Sequence, residues 1–549
     1  MAVRKSIRDG SIFQNISQNI GLLFVFGVVL SQALLFGSRL VNWLPVWSLY
    51  ADPGYPYLLN GAEIINGGTP GHTDHPGTSM QWIIGIIEQI TFWVQGSQES
   101  IFADIVNNPE GYAQVVSWVL LLLYLIVLLA LGYRMWRFFG TSAALLTQFL
   151  LIWSVTLTGS GVFKLVPETL VLLACIALLT LLIPNLRKPR VKVHVAVVVL
   201  IGIICAVGVT SKVIFVPVFL IPILIMRWRD VATASAAFAV ALIPIMFPTF
   251  SRLDQMWNWY TLVLLNPGRH GGELESSTLE NLGNALQGIV GIVRWWLPVY
   301  LLIICLTLLI YVVPYLRIRI GRESLAAVAL VGTSALVVVM GYKQAEARDF
   351  LLLGPLIAVT AGILLSLYRR IMSGFLRLVV ALVALLFGAF LAAHGMVGSI
   401  YFYQLAESRS LERVESAKLL TEIAQDRIVA QGYDSWTEAS ALAFAEGWTN
   451  GKFAQPLNEL YPELYEYSIF YQQVYTWNSG DGKELVTCKQ IREIISTRGL
   501  DIVVPGIGTV AANEDLTEIN TPDGIIGIFP EGKVGPNSRF KATEMQCAE

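Results

Sequence analysis

Charged residues are scarce. They make up 14% of 549 residues, against about 25% in soluble domains, so the chain has too little polar surface to cover a water-soluble fold of its size. Excess positive charge is also missing. The formal net charge of -2 gives no hint of a nucleic-acid partner. A signal-cleavage site is lacking too. The basic start MAVRKSIRDG leads into an apolar run from about Ile20 to Trp43 that is longer than a signal-peptide core, with no small-residue site behind it. A retained first span with a cytoplasmic N-terminus is expected. No internal repeat of the kind that marks many secondary transporters is visible. Of only five cysteines, Cys175, Cys205 and Cys305 sit in apolar runs as packing residues. Cys488 and Cys547 lie in a polar region where a disulfide is possible, and spacing alone does not decide it.

What is abundant is apolar sequence, with a mean hydropathy of +0.62. Runs of ~17–25 residues match a hydrocarbon core of ~30 Å. The expected spans are 19–43, 112–134, 139–157, 165–184, 193–211, 213–226, 231–250, 290–313, 324–341, 350–367 and 373–396. The run 78–95 is decided by the positive-inside rule. Basic clusters at Arg4/Lys5/Arg8, Arg134/Arg137, Arg187/Lys188/Arg190/Lys192, Arg227/Arg229, Arg317/Arg319/Arg322 and Arg369/Arg370/Arg377 fall on one side only if 78–95 does not cross. It is therefore expected to lie at the outer interface or to enter partway.

The predicted fold is a polytopic α-helical membrane protein of about eleven spans with a C-terminal soluble α/β domain. Residues 1–400 form the transmembrane part, with a first outer loop at 44–111. Residues 401–549 form the extracytoplasmic domain, where LVTCKQIREIISTRGLDIVVPG reads as strand, amphipathic helix, strand and GIIGIFP as a further strand.

The stretch Trp47–Gln81 is the only long polar run in the first third of the chain. In it Asp52 reads two ways, as a general base at the outer interface or as the N-cap of the following helix. His72, Asp74 and His75 admit a divalent metal, but the flanking Pro and Gly favour loop bracing or substrate contact; no metal or cofactor is assigned. The other outer segments carry Lys164 and Glu168 (VFKLVPETL), Lys212 (VTSKVIF), Arg269 and His270 in a long loop 251–289, and Lys343 and Arg348 (GYKQAEARDF). Outer bases defy the positive-inside trend, and an anionic headgroup to be held is one reason for them. The bland readings are a Lys164–Glu168 pair, a snorkelling Lys212 and an ion-pair patch of Lys343 and Arg348 with Glu346 and Asp349. Trp43/Trp47, Trp257/Trp259 and Trp295/Trp296 read as interface anchors. Aromatic residues of the C-terminal region read as core, with sugar stacking as the alternative.

Taken in order, these residues resemble the GT-C superfamily of membrane glycosyltransferases that use polyprenyl-phosphate sugars, and within it the branch of protein mannosyltransferases and bacterial lipid A sugar transferases. The resemblance covers about 1–400. It rests on an acid after the first span (Asp52), a His-Pro element (HTDHPGTSMQ, with Gly77 where that branch usually has a second Pro), Glu168, Lys212 and the Lys343–Arg348 element. It implies that Asp52 deprotonates an acceptor hydroxyl for inverting displacement while Lys212, Lys343 and Arg348 hold the donor phosphate. Tyr55, His72, Asp74, His75, Lys164, Glu168, Arg269 and His270 would shape the sugar or acceptor pocket. The expected partners are a polyprenyl-phosphate-linked sugar, the bilayer of a bacterial inner membrane and a glycan, lipid or protein acceptor. The rival readings are a lipid-linked saccharide flippase, a polysaccharide polymerase or ligase, and a non-catalytic assembly subunit.

Overall fold

The computed structural model describes residues 2–49, 54–73, 77–157, 164–265, 297–313, 324–341, 350–372, 374–423, 428–431, 437–461, 465–468, 473–478, 482–485, 502–504, 517–521 and 524–529. Every expected span holds helix. Among the described residues six segments are long and apolar enough to cross a membrane: Gly21–Val41, Pro109–Phe139, Pro167–Arg187, Trp228–Thr261, Leu353–Ile371 and Gly374–Lys418. The other five expected runs hold apolar helix of 10–17 residues. This is an integral membrane protein. Among the described residues α4 (Thr78–Gln95) falls in neither group.

Contacts divide the chain into two compact units that do not follow its linear order. One comprises 1–41, 73–79 and 117–401; the other comprises 42–72, 80–116 and 402–549. Most of the loop expected at 44–111 thus clusters with the C-terminal region rather than with the spans.

In the first unit, α8 (Pro167–Arg187) is apolar all round and has 83% of its apolar window buried, whereas α11 (Trp228–Met246) has 6% of the window that covers it buried. A helix apolar on every face is either enclosed or in lipid. Exposed Leu23, Phe24, Leu34, Val240, Phe387 and Phe390 would be an aggregation surface in water and belong against hydrocarbon. Cys175 and Cys205 are buried as expected, but Cys305 is exposed. Backbones meet where side chains are absent: a Cβ on Gly202 would lie 2.2 Å from the Ala234 carbonyl oxygen, which lets α9 (Val195–Ser211) and α11 touch.

Three expectations are corrected. The short run 213–226 is a 3₁₀ segment, Val213–Phe219, followed by α10 (Leu220–Ile225). Pro217 and Pro222 each remove a helix donor, and the tighter winding rises ~2.0 Å per residue instead of 1.5. The region read as a loop from 251 contains α12 (Leu253–Leu265), because LDQMWNWYTLVLL carries enough apolar residues to continue the helical path after Pro248. The last span does not stop near 396. The final long helix, Gly374–Ile423, has 50 residues, about 75 Å at 1.5 Å each, so it runs well past a bilayer's thickness.

In the second unit a seven-stranded sheet has the order β4-β3-β2-β1-β5-β7-β6, with β1 (Ile428–Gln431), β2 (Tyr465–Ser468), β3 (Gln473–Asn478), β4 (Gly482–Leu485), β5 (Ile502–Val504), β6 (Thr517–Thr521) and β7 (Gly524–Phe529). β1 runs parallel to β2 and β5, and the outer pairs are antiparallel. The parallel β1–β2 step needs a crossover, which two short helices, Glu438–Glu446 and Ala454–Leu460, supply.

Candidate active site

Asp52 itself lies outside the described residues, but both of its flanks are held by one side chain. Glu110, in the first turn of α6 (Pro109–Phe139), accepts from the Trp43 indole Nε1 at 2.8 Å and from the Val46 amide at 2.8 and 3.0 Å. It also accepts from the Tyr55 hydroxyl. One carboxylate thereby ties down the chain on each side of Asp52. Tyr55 is fully buried, and burial followed by the nearby Glu110 charge pushes its phenol well above the ordinary value, so it stays a donor. Tyr55, expected in the sugar pocket, donates its hydroxyl to Glu110. Trp43 bonds Glu110 and Trp47 is buried, while Trp257 is exposed as an anchor should be.

The helix after Asp52, α3 (Tyr55–Ile65), has Gly54 as its N-cap with no side-chain cap, and Pro56 in its first turn. The N-cap position of this helix is thus occupied by Gly54. Asn60, fully buried, is the hub of the loop beyond. Its Nδ2 donates to the carbonyls of Pro56 (2.6 Å) and Trp448 (2.9 Å), and its Oδ1 accepts from the amides of Gly71 (2.7 Å) and His72 (3.3 Å). Glu63 Oε1 accepts from the Asn450 amide at 2.9 Å. A Cβ on Gly71 would stand 2.3 Å from the Trp448 carbonyl oxygen, so only glycine admits this approach.

His72 is packed edge-on between Tyr57 (4.9 Å) and Trp448 (5.3 Å), and burial pushes its imidazole down to about 4. It too braces the loop. On α4, fully buried Glu88 lies beside Gly61, and among the described residues neither carboxyl oxygen has a hydrogen-bond partner. Burial pushes Glu88 well above the usual carboxyl range.

These two groups give stability opposite pH limbs. Below about 6.5 the unfolded chain takes the His72 proton that the folded chain refuses until about 4, so stability falls with acidification. Above about 4.5 the unfolded chain releases the Glu88 proton that the folded chain keeps, so stability also falls as pH rises. Melting temperatures in detergent should show the acid limb flattened by His72→Gln and the alkaline limb by Glu88→Gln. Profiles identical to wild type in both variants would remove these groups as the cause.

In the first unit, the end of the polar stretch is pinned to the end of α9. The Gly77 amide donates to the Ser211 carbonyl at 3.3 Å, and Ser79 and Thr210 share a hydroxyl hydrogen bond. The next residue, Lys212, ends α9 with extended backbone and donates Nζ to Glu168 Oε1 at 2.8 Å. Both side chains are below 10% exposed, at 7% and 8%. Glu168 sits in the first turn of α8 behind Pro167, where the helix dipole favours a carboxylate. Lys212 is thus a buried ion pair and does not snorkel. Lys164 is partly exposed, and its carbonyl accepts from Thr169 Oγ1 at 2.9 Å. Asp74, His75, Arg269, His270, Lys343 and Arg348 lie outside the described residues. Among the described residues no three His, Cys, Asp or Glu side chains gather as a metal site.

No family profile matches the sequence, and no curated protein does. Among solved structures, apo ArnT from Cupriavidus metallidurans superposes with a TM-score of 0.52 at 13% identity, covering 94% of this chain and 99% of its own. The chain shares the fold of this ArnT structure. ArnT with undecaprenyl phosphate bound gives 0.49 at 11% identity, with 92% and 99% covered. The Archaeoglobus fulgidus oligosaccharyltransferase tethered to an acceptor peptide gives 0.42 at 13% identity, with 87% and 69% covered.

The fold makes one local departure intelligible. Gly77 stands where the resembling GT-C branch has a second proline, and its φ is +60°. Proline is locked near −65° and has no N–H, so it fits neither the backbone here nor the bond to Ser211. Gly77→Pro should melt well below wild type, and Gly77→Ala, forced into a left-handed conformation at ~1–3 kcal/mol, less far, both read in detergent. A stable Gly77→Pro protein would contradict this geometry.

Proposed function

We propose that this protein is an integral-membrane glycosyltransferase that moves a sugar from a polyprenyl-phosphate donor to an acceptor hydroxyl at the outer face of a membrane. The observation that carries the reading is the double tether of the Asp52 flanks by Glu110 in a chain that shares the ArnT fold. A carboxylate acting as general base needs placement within hydrogen-bond reach of the proton it removes, and Glu110 holds described residues on either side of Asp52.

In this reading Asp52 takes the acceptor proton and the hydroxyl oxygen attacks the anomeric carbon from the face opposite the phosphate. The glycosyl–phosphate bond breaks, the configuration inverts, and the polyprenyl phosphate leaves with the bonding electrons. Lys212, Lys343 and Arg348 stabilise the phosphate charge that develops. Its bond to Glu168 fixes where the Lys212 ammonium stands. Tyr55, His72, Asp74, His75, Lys164, Glu168, Arg269 and His270 are assigned to the sugar and acceptor pocket. The C-terminal unit selects the acceptor.

The test is release or transfer of label from a panel of radiolabelled polyprenyl-phosphate monosaccharides by purified protein. Turnover of one donor is the expected result. No turnover of any donor, together with lipid movement across proteoliposomes, would replace this reading with a flippase.

A further inference from the structure

The long final helix carries a second feature beyond its span. A cavity of roughly 470 Å³ opens between the turn Val46–Leu49 and the stretch 402–413 of that helix, lined by Ser48, Leu49, Phe402, Leu405, Ala406, Arg409, Glu412 and Arg413. This volume is in the range of small-molecule sites. The helix contributes positions 402, 405, 406, 409, 412 and 413, which is the i, i+3, i+4, i+7 spacing of a single face. That face changes character along its length. The end that continues into the apolar span presents Phe402, Leu405 and Ala406; about 10 Å further on it presents Arg409 and Arg413, one turn apart.

The wall opposite is built the same way, with Leu49 as an apolar surface and Ser48, whose hydroxyl bonds Ser410, as a polar one. Glu412, the single acid of the lining, accepts from Ser408 Oγ at 3.2 Å. Among the described residues Arg409 has no hydrogen-bond or ion-pair partner, and it is exposed. An arginine is shaped to fork onto a phosphate.

We propose that this cavity binds an anionic, phosphate-bearing amphiphile, with its phosphate on Arg409 and Arg413 and its chain against Phe402, Leu405, Ala406 and Leu49. The gradient from apolar to basic along one helix face is what selects an amphiphile over a free anion. None of the residues assigned to sugar transfer lines this cavity, and its Val46–Leu49 wall is the turn that Glu110 holds.

The experiment measures retention of radiolabelled phosphatidylglycerol by the full-length protein after repeated washing in detergent, with phosphatidylcholine as the neutral lipid and inorganic phosphate as competitor. Wild type is expected to hold phosphatidylglycerol at least tenfold better than the Arg409→Gln/Arg413→Gln double variant and to hold little phosphatidylcholine. Arg409→Lys/Arg413→Lys should recover part of the retention, and Leu405→Asn should weaken it with both arginines in place. Melting temperatures check that each variant is folded. Equal retention by wild type and the folded double variant would overturn the site. Displacement of the lipid by inorganic phosphate at equal concentration would overturn the amphiphile assignment in favour of a free anion.

Discussion

Glu110→Ala is expected to lower sugar transfer by roughly a hundredfold, the scale on which a misplacement of about 1 Å acts on a reacting group. Three donors lose their acceptor at once: the Trp43 indole, the Val46 amide and the Tyr55 hydroxyl. Each buried donor left without a partner costs ~1–3 kcal/mol, so the chain around Asp52 relaxes to other positions. Because Glu110 positions the base without touching substrate in this account, the loss should fall on kcat with KM little changed. Glu110→Gln, which keeps one accepting oxygen, should retain an intermediate rate. Equal kcat in wild type and Glu110→Ala, with both proteins folded, would show that the tether does not serve catalysis.

Breaking the Lys212–Glu168 pair has the largest expected effect on stability. Both side chains are buried, and removing one partner of such a pair costs ~3–5 kcal/mol. Lys212→Met and Glu168→Leu alone should each melt far below wild type. The double variant should regain most of that stability, since an apolar pair of similar volume is often neutral or better. It should not regain transfer, because it lacks the ammonium assigned to the donor phosphate. Melting temperature and label release, measured on the same four proteins, separate the two roles. A double variant that is both stable and fully active would leave Lys212 with a structural task only.

The membrane architecture was legible because run length alone encodes it. Leu353–Ile371 and Pro167–Arg187 stand out without any knowledge of contacts. Element ends were less legible. The last helix continues to Ile423 because ESRSLERVESAKLL carries helix formers with no Pro or Gly to stop it, although its composition marks a change of environment. The 3₁₀ segment at Val213–Phe219 was signalled only by Pro217 and Pro222.

For the site, single residues were legible and their supports were not. Lys212 and Glu168 stand out as outer charges, but 44 residues separate them and Glu168 has a nearer candidate partner in Lys164. Glu110 lies 55 residues from Tyr55 and 67 from Trp43, and its position just after a proline resembles any acid at a helix start. Asn60 and the Trp448 carbonyl are 388 residues apart. Here the sole hint was the density of glycine around residue 71, which marks a close backbone approach without naming the partner.

The measurement that tests the central claim most directly is label release from the active polyprenyl-phosphate sugar by wild type and by Asp52→Asn, side by side at equal melting temperature. Asparagine keeps the size of the side chain and removes its basicity, so transfer should fall by ~10²–10⁴ while donor binding persists. Equal turnover by the two proteins would contradict the account and take Asp52 out of the chemistry.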